Sequence, residues 1–179
     1  LALTTDPYHV VLRAEVAWPL TDVTTWTGIG VDGLLLPPNP VAPDGYMVPW
    51  GAAFLDLDRD GRVDIVYSHG ADPDPGADKR RIDLGPQHVS AHWNGGAMRF
   101  ADVTTRLGLE RLGQWRALTV GDLDQDGAPD LGVGGLGEFP RVYRNAIQSD
   151  GRGLALRLRG TTSNALGLGA LVRVRPRLA

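Results

Sequence analysis

The sequence DLDRDGRVD at residues 56–64 returns as DLDQDGAPD at residues 122–130, and these two segments, loop 1 and loop 2, decide the fold. Each carries four aspartates at relative positions 1, 3, 5 and 9 and a glycine at position 6. Carboxylates this close repel one another, by about 1 kcal/mol for two unit charges about 4 Å apart in water and by more where water is excluded. A chain that carries this arrangement twice is therefore expected to hold a positive partner at each loop.

The residue types and their spacing indicate Ca²⁺ as that partner. Ca²⁺ accepts many oxygen ligands in flexible geometry, and the glycine allows the positive φ that turns the chain around an ion. Because these ligands close the cage, we expect two structural ions rather than catalytic ones; the alternative is a pair of metal-free acidic turns. The predicted ligands are the side chains of Asp56, Asp58, Asp60, Asp64, Asp122, Asp124, Asp126 and Asp130 and, at position 7, the backbone carbonyls of Arg62 and Ala128.

The residues beside both loops predict strands. WGAAFL and VDIVYS surround loop 1, and RALTVG and LGVGG surround loop 2. Short apolar runs of this kind, with β-branched and aromatic residues, are typical of buried strands. An EF-hand needs flanking helices and a glutamate at position 12, where this chain has Tyr67 and Val133. Each loop is therefore expected to join two adjacent strands of a sheet.

The repetition extends beyond the loops. LTDVTTWTGIG at 20–30 aligns with FADVTTRLGLE at 100–110, and strands ending in asparagine, VSAHWN and RVYRN, follow the two loops. A repeat of about four strands in about 60 residues is typical of propeller blades or solenoids. An irregular, proline-rich insertion at 31–46 precedes loop 1. It is the best candidate for a loop that contacts a partner, although a plain surface excursion remains equally open.

These motifs resemble the FG-GAP/VCBS repeats of integrin α-chain heads and of many bacterial secreted proteins. The matching segments are AAFLDLDRDGRVDIVYS, ALTVGDLDQDGAPDLGVGG and HWNGGAMRFADVTTRLGL. The resemblance implies an all-β fold of β-propeller blades whose Asp loops bind Ca²⁺ between adjacent strands. LALRLRGTTSNALGLGALVRVR at 154–175 resembles the start of an ASPIC/UnbV domain. The implied division is a repeat region at 1–150 and a truncated ASPIC/UnbV-like β-hairpin segment at 151–179.

Length and composition limit the architecture and the partners. Propellers close with about 4–8 blades, so 179 residues predict a partial propeller of about two to three blades, either a fragment of a longer protein or a chain that self-associates through open edges. The absence of cysteine excludes disulfides. The sequence has no basic stripe of the kind that binds nucleic acid and no apolar run of membrane-spanning length.

Two functions remain open at the level of sequence. The first is a non-catalytic, calcium-stabilised interaction module of a secreted, periplasmic or cell-surface protein, with a protein or polysaccharide partner, since extracellular modules bind Ca²⁺ weakly. The alternative is an accessory or catalytic part of a secreted hydrolase or polysaccharide-binding protein. Dispersed carboxylates would then act as acid and base, for example Asp72, Asp74, Glu110 and Glu138.

Histidines and tryptophans give weaker signals. His88 and His92, four residues apart, would lie on one face of a strand, but no third ligand at a recognisable spacing supports a transition-metal site. Trp50 and Trp115 precede the two loops in corresponding places. Both are expected to pack in the core between blades.

Overall fold

A computed structural model describes residues 2–4, 9–13, 21–22, 27, 29, 49–70, 87–151, 154, 156–161 and 164–174. The fold is all-β, as the sequence predicted, and its strands form three antiparallel sheets. One turn of 3-10 helix, Thr105–Leu107, follows the seventh strand. The strands are β1 (Ala2–Thr4), β2 (His9–Arg13), β3 (Thr21–Asp22), β4 (Pro49–Leu55), β5 (Asp64–His69), β6 (Ser90–Asn94), β7 (Phe100–Asp102), β8 (Trp115–Gly121), β9 (Asp130–Gly135) and β10 (Arg141–Tyr143).

Each sheet is a simple meander in chain order. The sheets are β1-β2-β3, β4-β5-β6-β7 and β8-β9-β10, with each strand antiparallel to its neighbours. Leu55 pairs with Asp64 at the end of the β4–β5 hairpin, and Gly121 pairs with Asp130 at the end of the β8–β9 hairpin. Loops 1 and 2 therefore close two equivalent hairpins, which confirms the prediction that each joins adjacent strands.

The repeat found in the sequence is also a structural repeat. Asp22 ends β3 and its aligned residue Asp102 ends β7. Seven residues beyond each aspartate, Ile29 is fully buried and Leu109 is 2% exposed. In both repeats, therefore, a strand ends at the aspartate and the aliphatic residue seven positions later is buried.

The sheets β4–β7 and β8–β10 share one hydrophobic layer. Trp115 and Val133 from the sheet β8–β10 pack with Leu55, Val66 and Ala91 from the sheet β4–β7. Trp115 is fully buried. Residues Ile65 and Tyr67 of β5 pack on the opposite side against Ile29 and Phe100. All six residues of β5 are buried. The sheet β4–β7 therefore lies between two apolar layers.

Trp50 differs from the expectation, because it is not the counterpart of Trp115. The pairing register shifts between Pro49 and Gly51 and again between Trp115 and Ala117, so each sheet has one irregular residue near the start of its first strand. These residues are Trp50 and Arg116, both six positions before a loop. Trp50 is 44% exposed, and the Arg116 guanidinium lies 3.9 Å from the centre of its ring. The core expectation is confirmed for Trp115 and wrong for Trp50.

The C-terminal segment also differs from the expectation. Its described residues form no strand, so the predicted hairpin of LALRLRG and ALVRVR is not present in them. Only the turn is formed: the Leu168 N–H donates to Asn164 Oδ1 at 2.6 Å, and the Gly167 N–H donates to the Asn164 carbonyl at 3.1 Å. Leu154, Leu156 and Leu158 are all exposed, so no apolar layer rewards strand formation here. The insertion at 31–46 lies outside the described residues.

Candidate metal sites

The backbones of the two loops turn in the same way. Gly61 and Gly127, both at position 6, have φ values of 86° and 85°. Arg59 and Gln125, both at position 4, have φ values of 58° and 62° although neither is glycine. Non-glycine residues seldom adopt this left-handed conformation, so two matched pairs indicate one conformation that both loops require.

Side-chain hydrogen bonds inside the loops match as well. The N–H at position 6 donates to the position 1 aspartate in both, from Gly61 to Asp56 at 2.9 Å and from Gly127 to Asp122 at 3.0 Å. The N–H at position 7 donates to the position 5 aspartate at 2.8 Å in both loops. The N–H at position 5 donates to the position 3 aspartate at 3.3 Å in both loops. The aspartates are thus held facing the inside of each turn.

Asp64 and Asp130, at position 9, tie each loop to the rest of its sheet. The two oxygens of Asp64 accept N–H donors from Leu57 at 2.8 Å and Asn94 at 2.7 Å. Those of Asp130 accept the equivalent donors, Leu123 at 2.9 Å and Asn145 at 2.8 Å. Both side chains are at most 1% exposed. The position 9 aspartate therefore holds the loop against its sheet whether or not the loop binds an ion.

Two groups of three carboxylates could each hold a metal ion. One oxygen from each of Asp56, Asp58 and Asp64 lies within 4.8 Å of the others, and the same holds for Asp122, Asp124 and Asp126. The structure thus gathers six of the eight predicted aspartates into two clusters. The N–H groups of Arg62 and Ala128 are bonded to the position 5 aspartates. The role of their carbonyls as ligands stays a prediction.

Asp60 and Asp130 are the two predicted aspartate ligands that lie outside these clusters. Asp60 forms an ion pair with Arg62, the position 7 residue of loop 1. Loop 2 has Ala128 at this position, so Asp126 has no such competitor and joins its cluster. The sequence difference between Arg62 and Ala128 therefore explains why position 5 behaves differently in the two loops.

The position 9 carboxyls differ in acidity although they share the same hydrogen bonds. Burial raises the pKa of Asp64, the N–H groups of Asn94 and Leu57 oppose that rise, and the charges of Asp58 and Asp56 reinforce it. The N–H bonds from Asn145 and Leu123 lower the pKa of Asp130, and the positive charge of Arg144 lowers it further. Loop 1 also carries contacts from residues 145–147, so more protein surrounds Asp64, although both carboxyls are almost inaccessible to solvent. A cation in loop 1 would relieve the repulsion there.

The sequence analysis did not predict that the position 3 aspartate also accepts a hydrogen bond from a side chain outside its loop. Trp93 Nε1 donates to Asp58 at 2.7 Å, and Arg144 Nη1 donates to Asp124 at 3.1 Å. Each donor directly precedes the asparagine that ends its strand motif, Asn94 or Asn145. That asparagine motif was the available signal, since it places the preceding side chain beside the loop.

The other chemical candidates do not form a site within the described ranges. His92 is buried on β6, while His88 precedes that strand and its Nδ1 donates to the Val89 carbonyl at 3.1 Å. Glu110 accepts a hydrogen bond from the Thr105 hydroxyl at 2.9 Å. Asp72 and Asp74 lie outside the described residues. In the part of the chain that the structure describes, the groups suited to a metal ion are the two acidic clusters.

No protein-family model matches the chain, and no curated protein matches it significantly. The FG-GAP/VCBS and ASPIC/UnbV resemblances therefore stay interpretations of the motifs. Among the described residues, no helix has the length and hydropathy to cross a membrane.

Proposed function

We propose that the chain is a calcium-binding interaction module in which each acidic loop encloses one Ca²⁺ ion. The observation that carries the proposal is the close correspondence of the two loops, which differ in one extra bond from the Asp60 N–H to Asp56 and in the third member of the acidic cluster. Their positive φ values, three internal hydrogen bonds and two bonds to position 9 all correspond. The two segments are identical at six of nine positions, namely the four aspartates, the leucine and the glycine, and they fold these residues into the same turn, as expected if both perform the same task.

The chemistry of the loops favours Ca²⁺ over Mg²⁺. Mg²⁺ demands near-ideal octahedral geometry and retains several waters, whereas Ca²⁺ tolerates many oxygens in irregular arrangements. The ligands here come from one short, tightly turned segment with the carboxylates already close together. The ions would act as structural ions, because they would join each loop to its hairpin rather than face an open substrate position.

The sheet arrangement supports a partial propeller as the scaffold. Strand β4 contacts both β1 and β8, which is the relation expected of the first strands of neighbouring blades. We propose a non-catalytic role in a secreted, periplasmic or surface protein, with a protein or polysaccharide partner. Millimolar external calcium suits weak, open loops of this kind, whose affinities are of the order of 10⁻⁴–10⁻³ M.

Thermal melting tests the metal role directly. A ligand that binds only the folded state stabilises it, by about 2.7 kcal/mol at a hundredfold excess over its Kd. We expect a higher melting temperature in CaCl₂ than in EGTA, a smaller rise in MgCl₂, and a reduced calcium effect for Asp58→Ala and for Asp124→Ala. Equal melting temperatures in CaCl₂ and EGTA would reject the proposal.

A further inference from the structure

A groove runs between the two sheets beside loop 1. It consists of two cavities of about 430 Å³ and about 260 Å³. Both are lined by the same five residues, so they are parts of one depression, which we call the inter-sheet groove. The shared residues are Leu57, Arg106, Leu107, Ile147 and Gln148. Its combined size is in the range that holds a small ligand or a few peptide residues.

One wall of the groove is fixed by hydrogen bonds that cross between the sheets. The Asn145 side-chain amide donates to the Leu57 carbonyl at 2.8 Å, and Arg59 Nη2 donates to the Ile147 carbonyl at 3.2 Å. The Ile147 N–H also donates to Asn145 Oδ1 at 3.0 Å. The groove is therefore formed before any ligand arrives, which lowers the entropy cost of binding.

The floor of the groove is aliphatic. Leu109 and Leu131 line the larger cavity and Val103 lines the smaller one, while Leu57 and Leu107 contribute to both. Leu57, Leu109 and Leu131 are otherwise buried in the core. This floor offers a dry place for a branched apolar side chain, worth roughly 1.5–3 kcal/mol when such a side chain is fully buried.

The rim of the groove carries a cation without a partner. Arg106 is exposed, lines both cavities, and makes no hydrogen bond or ion pair in the described part of the chain. Arg144 lines the larger cavity. Asp58 is the one carboxylate among the described lining residues, and Trp93 Nε1 already donates to it. The rim thus favours an anionic group, which a guanidinium binds through paired, charge-assisted hydrogen bonds.

We propose that the inter-sheet groove binds an acidic peptide segment of a partner protein, with a leucine-like side chain on the aliphatic floor and a carboxylate on Arg106. This inference rests on the proposed interaction-module function and names its partner class. Tyr143 lines the larger cavity and Trp93 the smaller one, but the apolar residues common to both cavities are aliphatic. This favours a peptide side chain over a saccharide, because sugar rings are usually held by flat aromatic faces. The one tryptophan of the lining has its Nε1 bonded to Asp58 and the Arg62 guanidinium 5.9 Å from its ring centre.

Fluorescence anisotropy with defined peptides tests the proposal. The probe is a short fluorescein-labelled peptide of alternating leucine and glutamate, and the matched peptides replace glutamate by glutamine or leucine by alanine. We expect the Leu/Glu peptide to bind most tightly. Arg106→Gln should raise its Kd roughly tenfold, the loss of about one charge-assisted contact. Arg111→Gln is the matched control, since Arg111 is also exposed and does not line the groove.

Several outcomes would overturn the proposal. They are equal Kd values for wild type and Arg106→Gln, equal binding of the glutamine-containing peptide, no binding of the Leu/Glu peptide, and displacement of that peptide by oligogalacturonate. Melting curves in CaCl₂ and EGTA recorded on the same samples separate this result from the metal role. Calcium stabilisation without peptide binding would reject the groove alone, and peptide binding without calcium stabilisation would reject the metal proposal alone.

Discussion

At the scale of single residues, the aspartates of each loop divide into two kinds. Those at positions 1, 3 and 5 face the inside of the turn, whereas position 9 is buried and bonded to two backbone N–H groups; in loop 1 the position 9 residue, Asp64, also belongs to the acidic cluster. The first kind would depend on a cation for its effect on stability. The second kind stabilises the fold in any medium, because buried N–H groups that lose an acceptor are costly.

Substitution at position 9 tests this division. We expect Asp64→Asn to lower the free energy of unfolding in EGTA by about 2 kcal/mol or more, because the amide provides one acceptor where two N–H groups need partners. Asp126→Ala, at an exposed position 5, should cost less than about 1 kcal/mol under the same conditions. Urea unfolding measures both values, and equal losses for the two variants would contradict the division.

Arg62 is expected to weaken calcium binding at loop 1, because its guanidinium pairs with the Asp60 carboxylate. Arg62→Ala should therefore lower the Kd for Ca²⁺ at loop 1 by roughly three- to tenfold, corresponding to about 1 kcal/mol. Ala128→Arg places the same competitor in loop 2 and should raise its Kd. Calcium titrations measure each site when the other loop is disabled by Asp58→Ala or Asp124→Ala. An unchanged or higher Kd of loop 1 in Arg62→Ala would be evidence against this competition.

Sequence spacing predicted the hairpins and the clustering of six aspartates because the pattern is local, while the binding of an ion by these residues stays a prediction. The turn, the inward aspartates and the hairpin all follow from residues within nine positions of one another. The two N–H donors of each position 9 carboxylate could not be predicted in the same way. Asn94 reaches Asp64 across 30 residues, and that contact depends on the register between β5 and β6.

At the scale of elements, the strands beside both loops lie where the apolar runs predicted them. The runs did not predict which residues are buried: β5 is buried throughout, whereas the apolar residues Trp50 and Phe54 of β4 are exposed. The irregular residues of these strands could not be predicted, because a register shift depends on the partner strand. The pairing of Trp50 with Arg116 followed from those shifts. The C-terminal pattern of alternating leucines was not sufficient for a strand in the described residues, where Leu154, Leu156 and Leu158 stay exposed.

Strand β6 carries a buried histidine that makes stability depend on pH. His92 is 1% exposed, and its ring lies edge-on to that of Tyr67 with 5.8 Å between centres. Burial lowers the pKa of His92 from 6.5 to about 4; Asp102 opposes this shift and His88 adds to it. The unfolded chain therefore takes up this proton before the folded chain does, and stability present above pH 6.5 is lost as the pH falls towards 4.

This contribution is expected to reach about 3 kcal/mol at the lower end of that range. Urea unfolding in EGTA, which removes any calcium effect, measures it between pH 7 and 4. His92→Gln cannot take up the proton, so its stability should fall less steeply than that of the wild type. Parallel pH profiles for the two proteins would contradict the assignment to His92.

At the scale of the whole molecule, the two complete hairpin units differ in their outer edge. In the sheet β4–β7, a fourth strand, β7, pairs with the third strand, β6. In the sheet β8–β10, the third strand, β10, pairs only with β9 among the described residues. Val142 at the centre of β10 is 66% exposed. An uncovered strand is a template for pairing with another chain, so this edge is the expected route of self-association.

Light scattering over a range of concentrations tests the edge. We expect the average mass to rise with concentration, and Val142→Lys to keep the chain monomeric, because a charge at the centre of an edge strand opposes pairing. Melting temperature serves as the control for folding. A wild-type chain that stays monomeric at every concentration would show that the edge is not used.

The most direct test of the central claim is calorimetric titration of the calcium-free protein with CaCl₂. The account predicts saturable heat with a stoichiometry of two ions per chain, one ion for Asp58→Ala or Asp124→Ala, none for the double variant, and weaker binding of Mg²⁺. No saturable heat from a folded chain, or undiminished binding by the double variant, would contradict it.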